Sequence, residues 1–306
     1  MNLVGRPMIM LAGEQAAPNL LPVRHYQPSQ VLLLHSAFPR SQQTAENVRS
    51  LLAEYQVKLI SVNAYEPYEI YQALKSHAGT LSGALLNVTG GTKPMSFGAL
   101  LYSLHMQITP FYVRSQQSRT EIDIYRFDDA GIPRVLRTEE IQDTISIDDY
   151  LTTYFGKEYA FTSYGVGPGQ AFEEALHRLL EPNVDEVKIG WKHNSGAVDV
   201  DLILRCNNQI GIVEAKTGGA AGRADGIKQL AVAGGQRFFG TYTKRFLVVD
   251  QDWSQKKNLQ SLADALGIVV ISLPSFSKSR SIDTDDTQAL VSMVQKSLGK
   301  PISQAD

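Results

Sequence analysis

Five short apolar runs stand in the first 113 residues, at 8–12, 31–35, 58–62, 84–88 and 109–113, and a helical pattern follows each of the first four. The helical stretches are 18–26, 41–55, 67–77 and 94–104. Strand, helix and strand at this spacing close as right-handed βαβ units, which lay the strands parallel and cover the sheet on both faces. The runs are apolar without alternation, as doubly covered strands should be. Residues 122–127 and 134–137 add a hairpin around the turn Asp128-Asp129-Ala130-Gly131.

The second half reads differently. A helix over 170–180 precedes strands at 184–191 and 197–206, a turn at Asn207-Asn208, and a strand at 210–215. A helix near 226–234, a strand at 245–249, a helix at 258–266, a strand at 268–271 and a last amphipathic helix over 285–298 follow. This order predicts a mixed sheet in a second α/β domain. The Gly/Pro-rich stretch 162–169 is the clearest break in the chain. The expected division is a first domain over 1–145, a linker over 146–165 and a second domain over 166–306. The length, 306 residues, fits two domains at roughly 150 each.

Composition narrows the function classes. Hydrophobic residues make up 43% of the chain, enough for real cores, and the net charge of −2 argues against a wholesale basic coat for nucleic acid. A single cysteine, Cys206, excludes an intrachain disulfide and a Cys-cluster zinc site, which fits a reducing, cytoplasmic setting. No apolar run approaches the roughly 18 residues of a membrane span. The run 7–12 is expected as a buried first strand rather than a signal segment.

Period two on the strands places Asp199 and Asp201 on one face and Glu214 and Lys216 on one face of the next strand. The Asn207-Asn208 turn folds the two strands together. Two carboxylates and an ammonium are costly to gather unless something binds there, and a hard divalent cation, Mg²⁺ or Mn²⁺, is the natural occupant. The segment from Asp199 through Glu214-Ala215-Lys216-Thr217-Gly218 resembles the PD-(D/E)xK nuclease superfamily. The resemblance implies a restriction-endonuclease-like second domain with catalytic Asp201, Glu214, Lys216 and Glu173. It implies metal ligation at Asp201, Glu214 and Ala215. Asp199 competes with Asp201, and Glu174 is the runner-up to Glu173. Lys228-Gln229 matches a further polar contact to substrate.

In the first half, Thr89-Gly90-Gly91-Thr92-Lys93-Pro94-Met95 follows the fourth strand. Two glycines allow close backbone approach, Thr92 can cap the next helix, and Lys93 at a helix N-terminus is a ready anion site. The spacing is neither a Walker A loop nor a dinucleotide fingerprint. Gly-Gly-Thr-Lys-x-Met resembles the signature of CARF domains, the Rossmann-like sensors of cyclic oligoadenylates in type III CRISPR systems. The loop after the first strand, with Gly13, Glu14, Gln15 and Asn19, resembles that of a CARF–nuclease family.

The two resemblances together imply a CARF–nuclease effector of CRISPR immunity. They imply a homodimer whose two first domains share one cyclic tetra-adenylate as allosteric activator. The implied ligand contacts are Gly13, Glu14, Gln15, Asn19, His35, Ser36, Thr89, Gly90, Gly91, Thr92, Lys93 and Met95. The substrate is DNA and/or RNA, cut by metal-dependent phosphodiester hydrolysis. A catalytically inactive cyclic-oligonucleotide sensor and an unrelated Rossmann-like small-molecule enzyme remain the alternatives. Tyr150, Tyr154, Tyr159 and Tyr164 pack the domain junction or stack on bases. Arg237, Lys244, Arg245, Lys256 and Lys257 flank a nucleic-acid groove or are solvated charges. Trp191 and Trp253 read as core aromatics.

Overall fold

The computed structural model describes residues 2–79, 81–116, 119–162, 169–235, 238–240 and 243–300. Residues 163–168 of the expected break, with Tyr164, and Arg237 lie outside them. The chain divides into two compact units: Met1–Ile145 with Asp149–Gly156, and Ser146–Asp148 with Lys157–Asp306.

The first unit runs β1 (Met8–Leu11), α1 (Ala17–Tyr26), β2 (Val31–Ser36), α2 (Pro39–Leu51), β3 (Val57–Val62), α3 (Pro67–Ala78), β4 (Leu85–Asn87), α4 (Lys93–His105), β5 (Thr109–Gln116), β6 (Arg119–Phe127) and β7 (Pro133–Ile141). Its sheet has the order β3-β2-β1-β4-β5-β6-β7. Pairing is parallel from β3 to β5 and antiparallel among β5, β6 and β7. Sequence-adjacent helices start where chemistry favours it: Pro67 and Pro94 stand in first turns, while the Glu66 and Thr92 side chains accept the N–H groups of Tyr68 and Met95. Every residue of β1 and β2 is buried, as a doubly covered strand requires. β3 departs from that expectation. It is an edge strand, and its Lys58 and Ser61 are exposed. The β6–β7 hairpin is longer than its apolar residues indicate, and ion pairs at 2.7 Å from Arg114 of β5 to Glu121 and Asp123 tie its polar part to the rest of the sheet.

The stretch 146–165 carries the helix its sequence predicts over 147–155, α5 (Ile147–Phe155), and beyond that expectation a strand, β8 (Tyr159–Phe161). The later turns of α5 belong to the first unit: Arg24 pairs with Asp149 there, and the Asn47 amide donates to the Thr153 carbonyl.

The second unit continues with α6 (Gln170–Leu180), β9 (Glu186–His193), β10 (Asp199–Cys206), β11 (Gln209–Lys216), α7 (Gly218–Ala221), α8 (Asp225–Ala233), β12 (Lys244–Val249), α9 (Lys257–Ala265), β13 (Ile268–Ser272), α10 (Pro274–Ser279) and α11 (Thr284–Leu298). Its sheet has the order β13-β12-β11-β10-β9-β8. β11, β12 and β13 are parallel, and β8 to β11 pair antiparallel. The mixed sheet is the expected one, with β8, α7 and α10 as additions. Phe172, Leu176 and Leu180 of α6 and Leu290, Val294 and Leu298 of α11 pack with Leu202, Leu204, Val213 and Phe246 in one core. Trp191 and Trp253 are buried, as expected.

Candidate functional site

Two candidate sites are described, one in each unit. In the second, the antiparallel register Leu202↔Val213 carries on to set Asp201 opposite Glu214. The Ala215 N–H donates to Asp201 Oδ2 at 2.7 Å, so Ala215 orients the first carboxylate. Lys216 Nζ donates to Glu214 Oε1. Glu214 is only 3% exposed. Burial, then the neighbouring Asp201 charge, raises its carboxyl from the ordinary value to about 8, against the pull of Lys216. Burial also raises Asp201 to about 6; the Ala215 N–H opposes this, and the Glu173 charge adds to it. Glu173 and Asp199 are thus close enough to act on the pair. Asp199 itself is exposed at the start of β10, whereas Asp201 lies deeper. Glu174 is engaged on its own helix, accepting from Gln170 at 2.8 Å and pairing with Arg178.

Two neighbours of this cluster escape a reading of the strands alone. Gly226, in the first turn of α8, packs so closely that a Cβ there would lie 2.6 Å from Leu247, 3.2 Å from Lys216 Cγ and 3.6 Å from Glu214 Cγ. Asp250, just past β12, is 3% exposed and accepts the Gly218 N–H. Lys228 and Gln229 are exposed on α8. Lys244 and Arg245 lie at the far end of β12 from the cluster, since Lys244 pairs with Gly211 and Val249 with Lys216. Those two thus stand away from the cluster, and Arg245 lies against Gly234. Lys256 donates to Gln251 at 2.8 Å.

Among the described residues, no three His, Cys, Asp or Glu side chains gather as a metal-holding group. A buried carboxylate, Glu214, opposite a half-buried one, Asp201, whose charge raises it, does fit a hard cation, because Mg²⁺ is usually held by one or two carboxylates and keeps most of its water.

In the first unit the loops after β1 and β4 interlock. A Cβ on Gly90 would overlap the Leu11 carbonyl oxygen, and one on Gly13 would lie 2.9 Å from the Gly91 nitrogen. Gly91 is left-handed at φ 73°. These glycines let one loop approach the other. Beneath them runs a buried amide network. Asn87 donates to the Pro18 carbonyl at 2.7 Å and accepts from the Thr89 hydroxyl at 2.6 Å, while Asn19 donates to the Leu11 carbonyl at 3.2 Å. Asn19 is fully buried and Met95 is 1% exposed in the core, so both lie below the loop surface. Asn87 was not among the expected residues, being a polar residue inside an apolar strand.

The other expected contacts are placed as follows. Lys93 is exposed at the start of α4, and Thr92 also donates to the Ala64 carbonyl. Glu14 pairs with Arg40 at 3.4 Å, and Gln15 accepts from the Tyr154 hydroxyl at 2.7 Å. His35 is buried and its Nδ1 donates to the Ser36 carbonyl at 2.9 Å. Ser36 lines a cleft of about 600 Å³ at the carboxyl ends of β2 and β3, with Phe38, Ser61, Asn63, Tyr65 and Glu69. Phe38 and Tyr65 stand edge to face there, 6.1 Å between ring centres.

Comparison with known proteins bears on both units. Residues 8–150 match the family model described as the Card1 CARF domain. The fold of nearly the whole chain is similar to that of Can2 from Sulfobacillus thermosulfidooxidans, solved with cyclic tetra-adenylate. That match has TM-score 0.69 and 14% identity and covers 95% of this chain and 99% of that one. Protein VC1899 from Vibrio cholerae is similar at TM-score 0.72 and 13% identity, covering 96% and 99%. A type III CRISPR defence DNA nuclease activated by cyclic oligoadenylate matches at TM-score 0.51 and 16% identity, over 80% of this chain and 45% of that one. At these identities the likeness to solved structures is one of fold. No curated protein matches the chain.

Proposed function

We propose that the chain is a nuclease switched on by a cyclic oligoadenylate, cyclic tetra-adenylate by preference, that hydrolyses phosphodiesters with a divalent metal. The observation that carries this reading is the pairing, in one chain, of a CARF-matching unit with the buried Asp201–Glu214–Lys216 cluster. Can2, similar over 95% of this chain, was solved with cyclic tetra-adenylate bound.

Asp201 and Glu214 would hold the cation, with Glu173 completing the acidic rim. A divalent ion there would supply Lewis-acid polarisation of the phosphodiester. The Ala215 N–H fixes the Asp201 carboxylate in one rotamer, so the donor set is formed before substrate arrives. Lys216 keeps its ammonium beside Glu214, because the neighbouring carboxylates raise it against burial. That ammonium orients the attacking water or meets charge developing on the phosphate. In the first unit, Lys93 and the loop amides at the start of α4 meet the phosphates of the activator. The exposed Phe97 and Leu101 of α4, 62% and 49% accessible, form the apolar face on which two copies pair.

The test is incubation of plasmid DNA and single-stranded RNA with Mn²⁺, with and without cyclic tetra-adenylate. Cleavage that needs the activator is expected. Glu214→Ala abolishes it and leaves activator binding intact; full-rate cleavage by that variant sinks the assignment. The second reading is a sensor without catalysis, and cleavage of no substrate is its expected result.

A further inference from the structure

Asp250 grips the backbone on both sides of Thr217, directly after Lys216. Its own N–H donates to the Lys216 carbonyl at 3.2 Å, and both of its carboxylate oxygens lie 3.0 Å from the Gly218 nitrogen. Between these two grips Thr217 leads the chain out of β11, and just past the second grip it swings through Gly218, a left-handed residue at φ 56°. Two more contacts from the same loop extend the hold. The Gln251 amide donates to the Gly218 carbonyl at 2.6 Å, and the Trp253 indole N–H donates to the Ala221 carbonyl at 2.8 Å. Lys256 ties the loop to itself, donating to Gln251 and lying 5.8 Å from the centre of the Trp253 ring.

A turn of this kind can be held by a neutral acceptor such as Asn or Ser. Asp250 is 3% exposed, so water does not compete for the Gly218 N–H, and an isosteric Asn can keep the same hold.

We propose that Asp250 is a positioning residue for Lys216, acting through the Thr217–Gly218 turn, and that residues 250–256 form a clamp that keeps the lysine aligned for phosphoryl chemistry. The proposal rests on the nuclease reading for what the alignment is used for, and on the hydrogen bonds for the alignment itself. Misplacement of a catalytic group by a fraction of its reach costs up to about 100-fold in rate. The expected signature is therefore a fall in kcat with KM for nucleic acid unchanged.

The experiment compares the full-length wild type with Asp250→Ala and Asp250→Asn. It measures steady-state cleavage with Mn²⁺ and cyclic tetra-adenylate, and amide hydrogen exchange by mass spectrometry without metal or activator. In Asp250→Ala, exchange over 217–221 accelerates by roughly tenfold or more, as loss of a buried acceptor allows, and kcat falls. Asp250→Asn keeps an acceptor for Gly218 and recovers most of kcat. An unchanged kcat in Asp250→Ala, a rise in KM alone, or no recovery with Asn overturns the proposal. A wild type that cleaves nothing overturns the nuclease reading instead. Exchange then decides the clamp by itself, and unchanged protection of 217–221 in Asp250→Ala overturns it.

Discussion

Burial of the Glu214 carboxylate opposite Asp201 sets the sign of the pH response of the metal-free chain. The folded-state value of about 8 lies above the ordinary 4.5, so the folded protein binds more protons than the unfolded one between those limits. Stability therefore falls as pH rises through that window, and the full cost is present above about 8. Glu214→Gln, measured in EDTA, is expected to melt above wild type near the upper limit by the equivalent of a few kcal/mol. The gain should vanish near the lower limit. A variant that melts below wild type at both ends contradicts the burial argument. Asp201, Glu214 and Lys216 were legible in the sequence because strand period and the Asn207-Asn208 turn jointly fix which face each occupies. Gly226 and Asp250 were not, because they reach the cluster from a helix and a strand that only the tertiary fold brings near. Asn19 and Met95 are the opposite case. They stand at the motif's positions, but the packing turns them inward.

At the scale of elements, the two loops of the first unit behave as one piece. Any side chain at Gly90 meets the Leu11 carbonyl, so Gly90→Ala must push the loop after β4 away from the loop after β1. Overpacking of this kind costs about 1–3 kcal/mol. The expected result is a lower melting temperature together with lost activator binding; Lys93→Ala, by contrast, should lose binding without loss of stability. Calorimetry of the two variants with and without cyclic tetra-adenylate separates the cases. The strands and helices of the βαβ repeat could be read from the chain because burial on both faces leaves a run of apolar residues. β8 and α7 could not. β8 has only Tyr159–Phe161, none of them fully buried, and α7 is a single turn of small residues held by Trp253 and Gln251 from elsewhere.

For the molecule as a whole, the proposed activation through a shared ligand would require pairing of copies, and the exposed α4 face is where that requirement becomes testable. Phe97→Asp places a charge on an apolar surface that is 62% accessible in one chain. Analytical ultracentrifugation is expected to show a monomer, and activator-dependent cleavage is expected to fall with it. A variant that remains dimeric removes α4 from the pairing surface. The near-zero charge of the chain fits the proposed scheme, in which a metal, helix N-termini and single lysines would provide anion binding locally and nonspecific attraction to nucleic acid would stay weak. The lone thiol has a use of its own. Cys206 is fully buried in the core of the second unit, and burial raises it to about 11. In the native state it is both hidden and protonated, so a thiol reagent can react only when that core opens. The chain carries a built-in clock: the rate of labelling counts openings of the second unit, one thiol per chain, without any engineered reporter. If the activator tightens that unit as the coupling requires, it should slow the clock.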